Sequence, residues 1–87
     1  MIGMTGNRRL VYVLKSNSHP PHYYTGLTSD LRARLAEHNS GKCIATANNR
    51  PWKFDLVLKF ADEGRAVAFE RYLKSGSGNA FAIRHFR

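Results

Sequence analysis

The sequence predicts an α+β fold, in which helices flank one small β-sheet and the elements follow the order β-β-α-β-α-(α). Three observations predict it: a length of 87 residues with 43% hydrophobic composition, three short strand-like runs, and two segments with helical periodicity. This size suits a single domain. It excludes Rossmann, TIM-barrel and hydrolase-type enzymes, and it allows a small binding module or a compact nuclease with a shallow site. We expect a flexible N-terminus over residues 1–8 and one domain over residues 9–87.

Three segments have the composition of β-strands. Residues 9–15 are rich in β-branched and aromatic side chains and apolar on both faces, which is typical of a strand covered on both sides. Residues 16–21 contain turn formers and end in two prolines, so they predict a loop. Residues 22–27 resume strand character and stop at Gly26. Residues 52–61 alternate apolar and polar side chains and give the clearest strand signal.

The first helix is predicted between the second and third strands. Thr28 or Ser29 can cap its N-terminus, and it runs to about residue 39, with Gly41 just beyond its end. Residues 42–51 then form a polar connection to the third strand.

A second helix is predicted over residues 63–74, with Asp62 as its N-cap. The glycines and serines of residues 75–78 break this helix. Residues 79–85 are expected to form one or two final turns.

The charge of the chain indicates a polyanionic partner. Fourteen Lys and Arg against six Asp and Glu give a formal net charge of +8, divided equally between the two halves of the chain. Nucleic acid phosphate is the simplest match, although a ribosome-associated protein or a binder of anionic membranes would show the same excess. The N-terminal residues lack the apolar stretch of a secretory signal, and no apolar run approaches the roughly 20 residues that span a bilayer. We therefore expect a cytoplasmic protein that does not bind a membrane.

Both predicted helices carry ionisable residues on their apolar stripes. Arg34 and His38 share the stripe that Leu31 and Leu35 define on the first helix, and Glu70 lies within the stripe of the second. An unpaired buried charge costs several kcal/mol, so such groups are normally paired, at the edge of the core, or functional. One interpretation is a structural Arg34–Glu70 ion pair at the rim of the core. The other is a polar cleft where both helices meet the sheet.

Such a cleft would have the groups that phosphodiester hydrolysis requires. One carboxylate, Glu70, can anchor a hard divalent ion, and the guanidinium of Arg34 can grip phosphate with two hydrogen bonds. Tyr12 and Tyr24, on the two strands of the first hairpin, and His38 can orient or deprotonate water. The other acidic residues show no clustering, which favours a site with one metal ion over one with two.

The same residues resemble a known nuclease family. The tripeptides Leu10-Val11-Tyr12 and Tyr24-Thr25-Gly26 are similar to the paired motifs that give the GIY-YIG endonuclease superfamily its name. A longer ordered series follows the second tripeptide and resembles the small single-domain bacterial members: Thr28-x-Asp30-Leu31-x-x-Arg34-Leu35-x-x-His38-Asn39-x-Gly41. The similarity continues through Arg50-Pro51-Trp52 and Phe69-Glu70-Arg71-Tyr72-Leu73-Lys74.

The resemblance implies an antiparallel three-stranded sheet with helices packed on it, and metal-dependent cleavage of nucleic acid. By position, Glu70 corresponds to the metal-binding glutamate of the family and Arg34 to its catalytic arginine. Tyr12 corresponds to the tyrosine assigned as general base or water-positioning group, and Tyr24 to the one that contacts water or phosphate. His38 stands where relatives carry histidine or tyrosine. The expected cofactor is one Mg²⁺ or Mn²⁺ ion.

These observations predict a structure-directed or weakly sequence-specific endonuclease acting on DNA, with RNA left open as a substrate. The alternative is a DNA- or RNA-binding module on the same fold with little or no catalytic activity. Substrate preference would come from the surface of the domain or from a targeting protein partner. Seven basic residues are expected to follow the phosphate backbone: Arg8, Arg9, Arg32, Lys42, Arg50, Lys53 and Lys74.

Overall fold

The fold is known from a computed structural model that describes residues 7–87. The flexible segment expected at the N-terminus therefore lies almost wholly outside the described residues. Three strands, three α-helices and one 3₁₀ helix follow one another in this order: β1 (Leu10–Ser16), β2 (Tyr23–Thr28), α1 (Leu31–Ser40), the 3₁₀ helix (Ile44–Asn49), β3 (Trp52–Lys59), α2 (Glu63–Lys74) and α3 (Gly76–Phe86).

The three strands form one antiparallel sheet with the order β2-β1-β3. This confirms the predicted α+β class and the predicted sheet. Strand β1 is central, and Val11, Tyr12, Val13 and Leu14 are all at most 3% exposed, as the two-sided apolar pattern of this run predicts. In the pairing of β1 with β2, Tyr12 stands opposite Gly26.

The two faces of the sheet are covered by different helices. Helix α1 covers one face, where its Leu31 and Leu35 pack against Tyr12, Leu14 and other large side chains. Helices α2 and α3 cover the other face, where Ala66, Leu73 and Ala82 pack with Val11 and Val13. Because side chains alternate along a strand, successive residues of β1 and β2 serve the two cores in turn.

The caps of α1 and α2 follow from their sequences, with one correction. Asp30, rather than Thr28 or Ser29, is the N-cap of α1, and its Oδ1 accepts a hydrogen bond from the backbone N–H of Ala33 at 3.0 Å. Thr28 instead accepts from the N–H of Asp30 and so shapes the turn before the helix. Gly41 ends α1 with a φ of 87°, and Asp62 caps α2, as predicted.

Two elements differ from the prediction. The connection after α1 contains the 3₁₀ helix, and the expected break after α2 is instead the corner between two helices. Ser75 caps an 11-residue helix α3 by accepting a hydrogen bond from the N–H of Gly78 at 3.1 Å. A side chain at Gly78 would overlap the backbone of Tyr72 and Leu73, so this glycine allows α3 to approach α2 closely. Within residues 7–87, no helix is both long enough and apolar enough to cross a membrane.

Candidate active site

The centre of the site is the phenol ring of Tyr12 on β1. The ring lies directly over Gly26 of β2, where an added Cβ would overlap Cζ and Oη of the tyrosine. The opposed register of these two residues therefore requires glycine at position 26, because the ring occupies the volume that any larger side chain would take. Tyr12 itself is 0% exposed.

Helix α1 supplies two polar partners to this phenol. The hydroxyl of Tyr12 lies 2.9 Å from Nε2 of His38 and accepts a hydrogen bond from Nε of Arg34 at 3.1 Å. His38 is fully buried, whereas the Arg34 side chain is 34% exposed and also bonds Oε1 of Glu37 at 2.8 Å. Of the two partners of the phenol, only Arg34 therefore reaches solvent.

The electrostatic environment keeps Tyr12 and His38 neutral near pH 7. Burial raises the pKa of the Tyr12 phenol above its ordinary value of 10.0, against the opposing effect of the hydrogen bond from Arg34. Burial, together with the positive charge of Arg34, lowers the pKa of His38 below its ordinary value of 6.5. Glu37 raises the pKa of Arg34 through their hydrogen bond, so the guanidinium stays charged. A neutral imidazole next to a neutral phenol can accept the phenol's proton.

Contacts around the edge strand β2 connect this cluster to Glu70 on α2. The ring of Tyr24 lies 5.0 Å from that of His38, measured between centroids. Nζ of Lys74 lies 5.8 Å from the centre of the Tyr24 ring and 2.6 Å from Oε2 of Glu70. All five residues proposed from the sequence thus belong to one connected series of contacts, with Lys74 between Glu70 and Tyr24. The Glu70 side chain is 17% exposed, so solvent reaches it.

The structural Arg34–Glu70 ion pair considered from the sequence is wrong. Each of the two residues pairs within its own helix instead: Arg34 with Glu37 three residues on, and Glu70 with Lys74 four residues on. Pairing within a helix is possible because residues three or four apart lie on the same side. The two charges are therefore held separately: Arg34 bonds Tyr12 directly, whereas Glu70 is linked to Tyr24 only through Lys74.

The donor set limits the kind of metal site that the chain can offer. Among the described residues, no group of three or more His, Cys, Asp or Glu could together hold an ion. Glu70 is a single, solvent-reachable carboxylate, which fits one hard divalent ion whose other positions are filled by water and substrate phosphate. Lys74 bonds Oε2 of this carboxylate, and the exposed lysine side chain can move aside if an ion takes that oxygen.

One protein family matches this chain over most of its length. The family model described as the GIY-YIG catalytic domain matches residues 8–82, most of the chain. This chain belongs to the GIY-YIG family. Membership places it in a superfamily of nucleases that act on nucleic acid.

Relatives of this chain occur in Listeria and Streptococcus. A UPF0213 protein of Listeria welshimeri is 39% identical over 69 residues, which cover 78% of this chain and 74% of the relative. A UPF0213 protein of Streptococcus pneumoniae serotype 4 is 38% identical over 69 residues, with 78% and 68% covered. The name UPF0213 specifies no activity. No solved structure matches the chain significantly.

Two residues of the GIY-YIG-like series have structural functions here. Asn39 donates from its amide to the carbonyl of Trp52 at 3.0 Å and accepts from the N–H of Trp52 at 2.7 Å, which fixes the end of α1 to the start of β3. Gly41 adopts a positive φ, and the guanidinium of Arg50 lies where its side chain would be. These positions hold α1 in place and do not contact the phenol of Tyr12.

The basic residues proposed to bind nucleic acid do not form one cluster. Arg8 and Arg9 come just before β1. Arg8 forms a salt bridge with Glu63, and Arg9 donates a hydrogen bond to the carbonyl of Ala61. Lys53 lies on β3, opposite Lys15 at the other end of β1. Arg32, Lys42 and Arg50 are exposed on α1 and on the connection that follows it, and Lys74 is bound to Glu70.

Sequence reasoning missed two residues that contact the cluster. Glu37 orients Arg34, and its spacing of three residues along a helix could have indicated the pair. Thr46 is 0% exposed, and its hydroxyl lies 2.8 Å from Nδ1 of His38. No pattern in the sequence marks Thr46, because its position depends on the fold of the connection after α1.

Proposed function

We propose that this GIY-YIG domain is a metal-dependent endonuclease that hydrolyses phosphodiester bonds in nucleic acid, with DNA as the first substrate to test. The observation that carries the proposal is the shared hydroxyl of Tyr12, which is bonded to both a buried neutral histidine and a half-exposed arginine. This arrangement supplies a proton acceptor and a phosphate-binding cation at one atom.

Arg34 is the group that first meets substrate in this proposal. Its guanidinium is partly exposed and bonded to Glu37, and a phosphate can replace that carboxylate as an acceptor of the same kind. Movement of Arg34 onto phosphate would uncover the Tyr12 hydroxyl, which has no exposure in the present arrangement. Arg34 would then stabilise the negative charge that develops on the phosphoryl oxygens.

Tyr12 and His38 are proposed to move the proton of the attacking water. As the water oxygen bonds to phosphorus, its proton passes to Oη of Tyr12, and the phenol's own proton passes to Nε2 of His38. The bond from phosphorus to the leaving oxygen breaks, and that oxygen takes a proton from solvent. The imidazolium then returns its proton through Tyr12 to solvent, which restores both groups.

Glu70 is proposed to hold one Mg²⁺ or Mn²⁺ ion, which when bound supplies Lewis-acid stabilisation of the phosphoryl oxygens. Tyr24 is half-buried between His38 and Lys74. In this proposal it would orient water or phosphate. Lys74 would release Glu70 and remain near the phosphate as a second positive charge.

The test is cleavage of branched, nicked and single-stranded DNA, and of RNA, with Mg²⁺, Mn²⁺ or EDTA. Glu70→Gln keeps the size of the side chain and removes its charge, so cutting should be lost in this variant and in EDTA. Glu63→Gln is the matched control, because Glu63 lies on the same helix and pairs with Arg8. Equal cutting by wild type and Glu70→Gln would contradict the proposal.

A nucleic-acid-binding module with little catalytic activity is the second candidate. It is favoured by two features of the site: Tyr12 is fully buried, and Lys74 already bonds Glu70. Salt-dependent binding of DNA by wild-type protein, without metal-dependent cutting of any of the substrates, would support the module over the enzyme.

A further inference from the structure

The 3₁₀ helix after α1 places one threonine hydroxyl in the interior, behind the proposed catalytic histidine. Thr46 is 0% exposed, and its Oγ1 lies 2.8 Å from Nδ1 of His38. The other ring nitrogen, Nε2, lies 2.9 Å from the hydroxyl of Tyr12. Both nitrogens of a neutral imidazole are therefore engaged, and one of them must donate while the other accepts.

The partners at the two ends of this series determine which nitrogen donates. Nε of Arg34 can only donate, so it uses a lone pair of the Tyr12 oxygen, and the phenol's hydrogen needs an acceptor elsewhere. Among the described residues, Nε2 of His38 is the acceptor within reach. At the other end, the Thr46 hydroxyl donates to the carbonyl of Cys43, at a long 3.4 Å, and is thereby free to accept.

These constraints agree on one arrangement of hydrogens. Tyr12 donates to Nε2 of His38, Nδ1–H of His38 donates to Thr46, and Thr46 donates to Cys43. The opposite tautomer would direct two donors at the Tyr12 oxygen and leave its hydrogen buried without an acceptor, which is unfavourable. The lowered pKa of His38, caused mainly by burial, keeps the ring neutral, as this arrangement needs.

The backbone around Thr46 is fixed by the neighbouring elements. Nε1 of Trp52 donates to the carbonyl of Thr46 at 2.9 Å, and the N–H of Thr46 donates to the carbonyl of Cys43 at 3.2 Å. Trp52 is in turn bonded through its backbone to the side chain of Asn39 on α1. The hydroxyl of Thr46 is thus held at one position relative to the helix that carries His38.

We propose that Thr46 is a positioning residue: its hydroxyl fixes His38 as the Nδ1–H tautomer, so that the Nε2 lone pair faces the hydroxyl of Tyr12. The proposal deepens the proposed nuclease function, on which its catalytic consequence rests. A hydroxyl orients the ring without the negative charge of a carboxylate, which would raise the pKa of the histidine. The ring therefore stays neutral and ready to accept the phenol's proton.

The tautomer can be measured without any activity. We expect ¹⁵N NMR of histidine-labelled wild-type protein to show His38 protonated at Nδ1 and unprotonated at Nε2. Thr46→Val removes the acceptor and nearly preserves the volume, so it should shift His38 toward the Nε2–H tautomer. Thr46→Ser keeps the hydroxyl and should retain the wild-type spectrum. Thr25→Val is the control, because Thr25 pairs with Val13 and so points to the opposite face of the sheet.

In single-turnover cleavage, Thr46→Val should be slower by at least about 10-fold, whereas Thr46→Ser and Thr25→Val should cut like wild type. An Nε2–H tautomer in wild-type protein would overturn the proposal, and this measurement stands even if Thr46→Val does not fold. The proposal would also be overturned if Thr46→Val kept the Nδ1–H tautomer and cut at the wild-type rate. Absence of cleavage in wild type would overturn the proposed function and leave the tautomer measurement to decide the role of Thr46.

Discussion

At the scale of single residues, the site depends on how closely two strands bring Tyr12 to Gly26. The glycine has no side chain, and the phenol uses the space above it to reach Arg34 and His38. The catalytic proposal therefore depends on a residue that does no chemistry.

We predict that Gly26→Ala displaces the Tyr12 ring, because the new methyl group would overlap Cζ and Oη of the tyrosine. The variant should lose about 1–3 kcal/mol of unfolding free energy, the usual cost of overpacking, and most of any cleavage activity. Urea unfolding and single-turnover cleavage measure these effects. Gly76→Ala is the control, since no atom lies within 4 Å of its added Cβ. Wild-type stability and activity in Gly26→Ala would contradict this packing.

We predict an acid-sensitive stability that originates at His38. Because its pKa is lower in the folded state than its ordinary 6.5, the unfolded chain binds more protons as the pH falls. The contribution of His38 to stability is thus complete above pH 6.5 and is lost as the pH falls through the lower folded pKa. Urea unfolding at a series of pH values should show this decline in wild type. The decline should be shallower in His38→Gln, and equal slopes in the two proteins would contradict the prediction.

At the scale of elements, the strands and the first two helices were predictable, while the region after α2 was not. Apolar alternation in β3 and the capping residue Asp62 are local signals, and the structure follows them. The Gly- and Ser-rich segment after Lys74 was interpreted as a break because of its low helix propensity. Tertiary packing overrides that propensity, since Gly78 lies against the backbone of Tyr72 and Ala82 enters the core.

We predict that Gly78→Ala is strongly destabilising, by about 1–3 kcal/mol, although alanine is the better helix former. Its Cβ would overlap backbone atoms of α2, which cannot turn away as a side chain can. Thermal and urea unfolding measure the effect, with Gly76→Ala, two residues earlier, expected to be neutral or slightly stabilising. If both variants are equally stable, the close approach of α2 and α3 is not what holds this corner.

At the scale of the whole molecule, charge sets the partner class but not the binding surface. The net charge of +8 predicts an anionic partner, and the family assignment agrees with nucleic acid. The individual basic residues are spread over both ends of the sheet and along α1. Their placement required the fold, because sequence position does not reveal which charges lie near Arg34.

We predict that DNA binding weakens steeply as salt rises, because phosphate contacts release counterions. Lys42→Glu, at the end of α1, should reduce affinity more than Arg8→Glu. Lys42 is exposed on the connection that leads to Thr46, whereas Arg8 is already paired with Glu63. Fluorescence anisotropy with a labelled duplex at several salt concentrations makes the comparison. An equal or larger loss in Arg8→Glu would place the binding surface at the other end of the sheet.

The candidate site was predictable as a list of residues but not as a set of contacts. Tyr12, Tyr24, Arg34, His38 and Glu70 stand out because they interrupt apolar patterns or match the family series. Which of them bond directly depends on strand register, on the 3₁₀ helix and on the pairing within each helix. Packing between residues far apart in the chain determines these features, so no local stretch of the sequence reveals them.

The residues of the candidate site come from opposite faces of the sheet, and the contacts between them run around β2, one of its two edge strands. Such a strand has only one neighbour, so its opening requires less free energy than dissolution of the whole domain. If β2 detached, β1 would stay paired with β3. Glu70 would nevertheless lose its link, through Lys74 and Tyr24, to Tyr12, Arg34 and His38. The domain would then lose its cleavage activity when the edge strand β2 melts locally, at a temperature below that of global unfolding.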